Sequence, residues 1–87
     1  MKIKSGYVLR EVAGNIVVVP IGEATLNLNG MITLNETSKM LWKLLEDGAD
    51  EDSLTAAVLS EYDVDEQTAR ADVQAFIEKL RERKIVE

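Results

Sequence analysis

Carboxylates are the side chains this sequence offers most freely for chemistry, and they crowd two stretches, Asp50-Glu51-Asp52 and Asp63-Val64-Asp65-Glu66. A calcium loop of the EF-hand kind needs oxygens at alternating positions, a glycine at the sixth and a glutamate at the twelfth. Neither stretch supplies that pattern, and both read as first turns of helices and solvated faces. The chain has no cysteine and no histidine. Thiol nucleophiles, imidazole acid–base chemistry and the two favoured zinc ligands are absent with them. Gly22 and Gly30 sit in no phosphate-cradling loop of the Walker or dinucleotide type. The expectation is a protein without catalytic residues, metal or cofactor.

Charge narrows the partners. Sixteen acidic residues against ten basic ones leave a net charge of -6 and a pI of about 4.6. That mean field opposes duplex DNA and anionic membrane surfaces. The last helix, if it read DNA, would present Asp65-Glu66-Gln67-Thr68-Ala69-Arg70-Ala71-Asp72, where acids outnumber the single arginine. Its basic residues, Lys79, Arg81, Arg83 and Lys84, lie at the far end among Glu78 and Glu82. No stretch approaches the roughly 20 apolar residues a membrane span needs. No nucleic acid, no membrane and a cytoplasmic location are expected.

The elements that must position any binding surface follow from pattern. At 87 residues, 46% apolar and 30% charged, the chain suits one small folded domain over 1–87. Tyr7 to Val12 and Ile16 to Val19 are rich in β-branched residues and read as two strands, with Gly14-Asn15 as the turn between them and Pro20 closing the second. From Leu26 to Leu34 apolar residues alternate with polar ones. Asn29-Gly30 is a strong hairpin signal, but a two-residue turn there pairs Leu26 with Thr33 and mixes polar with apolar on each face. One long strand bent at Gly30 keeps the alternation and is the favoured reading.

Three helices follow. Asn35 caps the first, with a Thr37, Leu41, Leu44, Leu45 stripe that Met40 and Trp42 widen and with Gly48 at its end. Trp42 lies one position off that stripe, yet as the sole tryptophan it is expected to be buried. Asp50 caps the second helix, with Leu54, Ala57, Val58 and Tyr62 inward. Asp65 caps the third, which buries Ala69, Val73, Phe76, Ile77 and Leu80 and runs to about Arg83. Ile85-Val86 folds back on the sheet or on helix one. The fold class is α+β and winged-helix-like: an N-terminal antiparallel sheet of three to four strands, then three helices.

Two surfaces remain for binding. Ala71 and Ala75 stand opposite Val73 on the third helix, with Gln74 beside them, and small outward residues let a second backbone approach. Alanine is also the best helix former, so the pair alone is no site. A sheet edge presents unpaired N–H and C=O groups that accept an added strand, and outward Met31 is an adaptable contact.

The whole chain resembles the PqqD-like family. The resemblance rests on Tyr7-Val8-Leu9-Arg10-Glu11-Val12-Ala13-Gly14, on Val17-Val18-Val19-Pro20-Ile21-Gly22-Glu23-Ala24, and on Asn29-Gly30-Met31-Ile32-Thr33-Leu34-Asn35-Glu36. It continues through Leu41-Trp42-Lys43-Leu44-Leu45-Glu46-Asp47-Gly48, the run Glu61 to Val73 and the closing Leu80-Arg81-Glu82-Arg83. Such proteins are recognition elements of ribosomally made, post-translationally modified peptide pathways, non-catalytic and without a cofactor. The resemblance implies binding of a precursor's leader peptide as an added strand on the third strand, in a groove against the third helix. The partner it implies is a modifying enzyme such as a radical-SAM enzyme, a cyclase or a peptidase.

Carried onto this sequence, the peptide-binding residues are Met31, Ile32 and Thr33 on the strand and Ala71, Gln74, Ala75 and Glu78 on the helix. The stretch from Glu23 to Asn29 is longer than in the shortest members, so Thr25, Leu26 and Leu28 stay alternative receivers. A rival reading is an acidic winged-helix regulatory or structural subunit with no peptide groove.

Overall fold

A computed structural model of the chain describes residues 1–26 and 31–87. The first strand, β1 (Tyr7–Val12), pairs antiparallel with β2 (Asn15–Pro20), and β2 pairs antiparallel with β3 (Ile32–Leu34), in the order β1-β2-β3. The β1–β2 turn is Ala13-Gly14, one residue earlier than the expected Gly14-Asn15, because Asn15 already pairs with Val12. Both turn residues have positive φ, 52° and 81°. That is the backbone of a type I′ turn, whose twist matches the strands it joins.

Alternation sets the faces. Ile16 and Val18 on β2 meet Leu34 and Ile32 on β3, and all four are buried. Tyr7 and Leu9 on β1 share that inner face, Tyr7 buried and Leu9 packed against the core. The outward residues Val17, Val19 and Thr33 are half-buried or exposed.

The expected strand from Leu26 onward is a strand only at Ile32–Leu34 among the described residues. Gly22–Leu26 forms a short 3-10 helix, in which the Thr25 hydroxyl donates to the Gly22 carbonyl at 2.7 Å. The alternating pattern failed there because this local bond turns the backbone before a strand can extend. Asn27, Leu28, Asn29 and Gly30, and with them the choice between bent strand and hairpin, lie outside the described residues.

The helices α1 (Glu36–Asp47), α2 (Glu51–Glu61) and α3 (Glu66–Glu82) begin at the expected caps. The side chains of Asn35, Asp50 and Asp65 accept from the amides of Ser38, Ser53 and Thr68 at 2.8, 2.7 and 2.7 Å. Each cap satisfies an amide that the helix itself leaves unpaired. At the far end of α3 the Ile85 N–H donates to the Leu80 carbonyl (2.9 Å) and the Lys84 N–H to the Arg81 carbonyl (3.0 Å). This is a Schellman closure with Lys84 in the position glycine usually fills.

One cluster of buried side chains joins the sheet's inner face to all three helices. Trp42 sits inside it with no exposed surface, as expected, whereas Leu44, placed on the stripe by spacing, is 38% exposed. The apolar face of α1 is therefore Leu41, Trp42 and Leu45. In α2, Thr55 replaces Ala57 as a buried position, its hydroxyl bonded to the Glu51 carbonyl at 2.8 Å, and Tyr62 lies outside the core. The chain's ends pair with each other rather than with the sheet. Ile3 bridges Val86, Lys4 N–H donates to the Ile85 carbonyl (2.8 Å), and Glu87 N–H donates to the Lys2 carbonyl (3.0 Å).

Candidate functional site

The hairpin turn fixes which backbone groups of the sheet are spoken for. In a two-residue hairpin the closing pair, here Val12 and Asn15, exchanges both hydrogen bonds, and bonded pairs then alternate along the ladder. Asn15, Val17 and Val19 therefore point their backbone groups at β1, which leaves those of Ile16 and Val18 for β3. Their partners are Leu34 and Ile32. The residue between, Thr33, must turn its N–H and C=O away from β2, onto the outer edge of the sheet. Pro20 has the parity of Ile16 and Val18, and its missing N–H falls on the β3 side. The β2–β3 ladder stops short of it, at Val18↔Ile32.

Where β3 runs out, a cleft begins. Asn35, Thr37, Ser38 and Leu41 from the start of α1 face Asp72, Ala75, Phe76 and Lys79 of α3 across a cavity of about 320 Å³. Leu41 and Phe76 are buried and form an apolar floor, and Ala75 is exposed on the wall. One acid and one base stand on the α3 rim, and neither Asp72 nor Lys79 makes an ion pair among the described residues. An edge with one outward donor–acceptor pair, continued by a short apolar-floored cleft, suits an extended peptide with apolar side chains.

The opposite flank of α3 is engaged differently. Arg70 reaches Asp52 (3.0 Å) and Glu51 (3.1 Å) on α2, with Glu66 at 4.0 Å. The Asp52 hydrogen bond first, then that of Glu51, raises the guanidinium pKa further and keeps Arg70 charged. Gln74 Nε2 also reaches Glu51, at 3.4 Å. These contacts fasten the first half of α3 to α2 and leave no basic face there for phosphates.

The sequence-derived residues divide accordingly. Met31 (62% exposed) and Thr33 lie outward at the β3 edge, and Ala75 lines the cleft. Ile32 is buried in the core, with its backbone groups turned to β2. Ala71 is exposed but lines neither flank, while Gln74 and Glu78 line a separate depression with Glu51 and Arg81. Thr25 and Leu26 belong to the 3-10 helix, not to an edge strand, and Leu28 lies outside the described residues. Spacing on α3 missed Asp72, Phe76 and Lys79, because a helical wheel locates the outward side but not the flank that α1 approaches. Phe76, at the margin of the apolar stripe, was the available clue.

Three antiparallel strands in the order β1-β2-β3, followed by three helices, define an α+β fold with a cleft between the first and third helices. The chain belongs to the family described as coenzyme PQQ synthesis protein D (PqqD), whose model matches residues 6–86. Its structure is similar to that of TbiB1 in complex with the TbiA(beta) leader peptide: the TM-score is 0.78 at 25% identity, covering 100% of this chain and 95% of that one. It is also similar in fold to lasso peptide synthetase B1 complexed with the leader peptide, with a TM-score of 0.74 at 20% identity over 97% of this chain and 93% of that one. Among curated proteins none matches this chain in sequence.

Proposed function

We propose that this chain is a non-catalytic module, one domain over 1–87, that binds the leader of a ribosomally made precursor peptide by strand addition. It then presents the peptide to a modifying enzyme. The observation that carries this reading is the outward donor–acceptor pair of Thr33 on an edge strand that, among the described residues, pairs only with β2 and leads to the Leu41–Phe76 cleft. Support comes from TbiB1, similar over its length and seen with a leader peptide.

In this mechanism the Thr33 backbone pair, with Met31 next in parity, holds a leader strand irrespective of its sequence. Selectivity comes from apolar leader side chains that settle on Leu41 and Phe76. Each side chain removed from water there contributes about 1.5–3 kcal/mol, offset in part by the ordering of a flexible leader. The contact set this favours is Met31, Thr33, Asn35, Ala75, Phe76 and Lys79; Gln74 and Glu78 are not needed. The chain has no cysteine or histidine, and in this reading the chemistry falls to the partner, a radical-SAM enzyme, a cyclase or a peptidase. No helix among the described residues is long and apolar enough to cross a membrane, in keeping with work in the cytoplasm where such precursors are made. A winged-helix regulator is less favoured, since the acidic first half of α3 is tied to α2.

Titration of the isotope-labelled chain with candidate leader peptides tests the proposal through backbone amide shifts. Saturable changes at Met31, Thr33 and Ala75 are expected. Saturable changes that spare all three would overturn the assignment of this edge.

A further inference from the structure

A second cavity, of about 940 Å³, opens at the end of the β1–β2 hairpin opposite its turn. Tyr7, Ile21, Ala24 and Leu26 give it apolar walls, and Lys4 and Lys84 stand on it, with Glu23 as the one carboxylate of the lining. Ile21 and Leu26, which both line the opening, are 46% and 84% exposed, unusual for large aliphatic residues that share one cavity. The wall is firmly built. Ile21 N–H donates to the Gly6 carbonyl at 2.7 Å, and a Cβ at Gly6 would stand 2.9 Å from that of Ala24.

Lys84 closes α3 with φ of 59°, a conformation that is costly for a residue with a Cβ and free for glycine. The helix end itself has no need of a lysine there. Neither Lys4 nor Lys84 makes an ion pair among the described residues. Two uncommitted ammonium groups therefore flank an apolar opening on a chain of net charge -6.

We infer that this cavity binds an acidic, apolar peptide segment of a second protein, with a carboxylate at Lys4 and Lys84 and an apolar side chain against Ile21 and Leu26. A membrane is the poorer match. A broad anionic surface meets the repulsion of the whole chain, whereas a short segment feels mainly charges within a Debye length of about 8–10 Å. Among the described residues the cavity shares no lining residue with the α3 cleft and none with β3. Both sites can be filled at once. On the proposed function, on which this one step rests, the second protein is the enzyme that acts on the held peptide.

The test titrates the labelled chain with a short blocked peptide of alternating glutamate and leucine, and with its glutamine-for-glutamate counterpart. Saturable shifts at the Gly6, Gly22 and Lys84 amides are expected with the acidic peptide alone and should weaken as salt is raised. Lys84→Gly should bind about fivefold more weakly, the order of one partly exposed charge pair, while its melting temperature holds or rises because the strained φ is relieved. Weaker binding in an equally stable variant cannot be put down to unfolding. The double variant Lys4→Glu with Lys84→Glu should lose the acidic peptide and keep leader shifts at Thr33, which separates this inference from the leader reading. The inference is overturned by equal binding of the glutamine peptide, by unchanged affinity in Lys84→Gly, or by shifts confined to Thr33 and Ala75. It is equally overturned by no saturable shift with either peptide, or by preference for phosphatidylglycerol vesicles over the acidic peptide.

Discussion

Ile32 stands opposite Val18 across the β2–β3 ladder, and both side chains are buried on the same face of the sheet. That pairing turns the backbone of the next residue, Thr33, outward. A proline at Thr33 therefore removes a donor the sheet does not use, and edge strands tolerate proline on such a position. Thr33→Pro is expected to keep its melting temperature within a few degrees and to lose leader affinity by about tenfold, roughly the loss of one well-made hydrogen bond to a peptide. Calorimetric titration beside a thermal melt checks both halves. Full affinity in the folded variant would move the peptide off this edge.

Ala75→Arg probes the helix wall of the same site. Ala75 is exposed, so the fold should tolerate the larger side chain. Its bulk enters the cleft above Phe76, and leader affinity should fall by about tenfold or more. Gln74→Arg, on the opposite flank, should change leader affinity little, and an equal loss in both variants would argue against the cleft.

Trp42 offers a stability test with two arms. Its indole N–H is buried with no hydrogen-bond partner among the described residues. Trp42→Ala should cost about 3–5 kcal/mol, a large part of the stability of so small a chain. Trp42→Phe removes the unpaired N–H, a group that costs about 1–3 kcal/mol to bury, and so should lose far less. Denaturant melts of the two variants give the comparison, and equal losses would overturn the expectation.

Ala13 holds the first position of a type I′ turn at a φ of 52°. Asparagine accepts that conformation more readily than alanine. Ala13→Asn is expected to stabilise the chain by about 0.5–1 kcal/mol, read as a higher midpoint in urea with an unchanged slope.

Acid should loosen the helix starts. The amides of Ser53 and Thr68, bonded to the carboxylates of Asp50 and Asp65, hold both acids below the ordinary aspartate value of 3.8. A folded pKa below the unfolded one means that folding favours the ionised form. Their contribution is complete above the unfolded value and is lost as pH falls through the lowered folded value. Asp65→Asn keeps a capping oxygen that does not titrate. Its melting temperature should drop less than the parent's between about pH 5 and about pH 2, and an identical drop would remove Asp65 from the acid response.

Much of this architecture was readable because its signals are local. Asn35, Asp50 and Asp65 each announce a helix within four residues of chain, and Tyr7 to Val12 carries the β-branched and aromatic content of a strand. Legibility failed where a neighbour far along the chain decides. Leu44 and Trp42 flank Leu41 and Leu45 on opposite sides of α1, and only the placement of the sheet and α3 selects tryptophan for the interior. Thr25 and Leu26 continue an alternating pattern, yet a hydroxyl bond to Gly22 overrides it. On α3 the outward side could be read, but the flank that forms the cleft is defined by α1, thirty-odd residues upstream. The resemblance points to the third strand, and parity from the hairpin turns the backbone of Thr33, within β3, away from β2.

The pairing of Met1–Lys4 with Ile85–Glu87 gives this domain a property unrelated to peptide binding: it is portable. A host chain could enter and leave it at neighbouring points, so grafting it into a surface loop of a larger enzyme would close almost no extra loop. The same closeness would let the two ends be joined by a short linker and new ends be cut at the Ala13-Gly14 turn, with every layer of the core kept in place. Free-standing or set within a larger chain, the fold could keep one and the same internal structure.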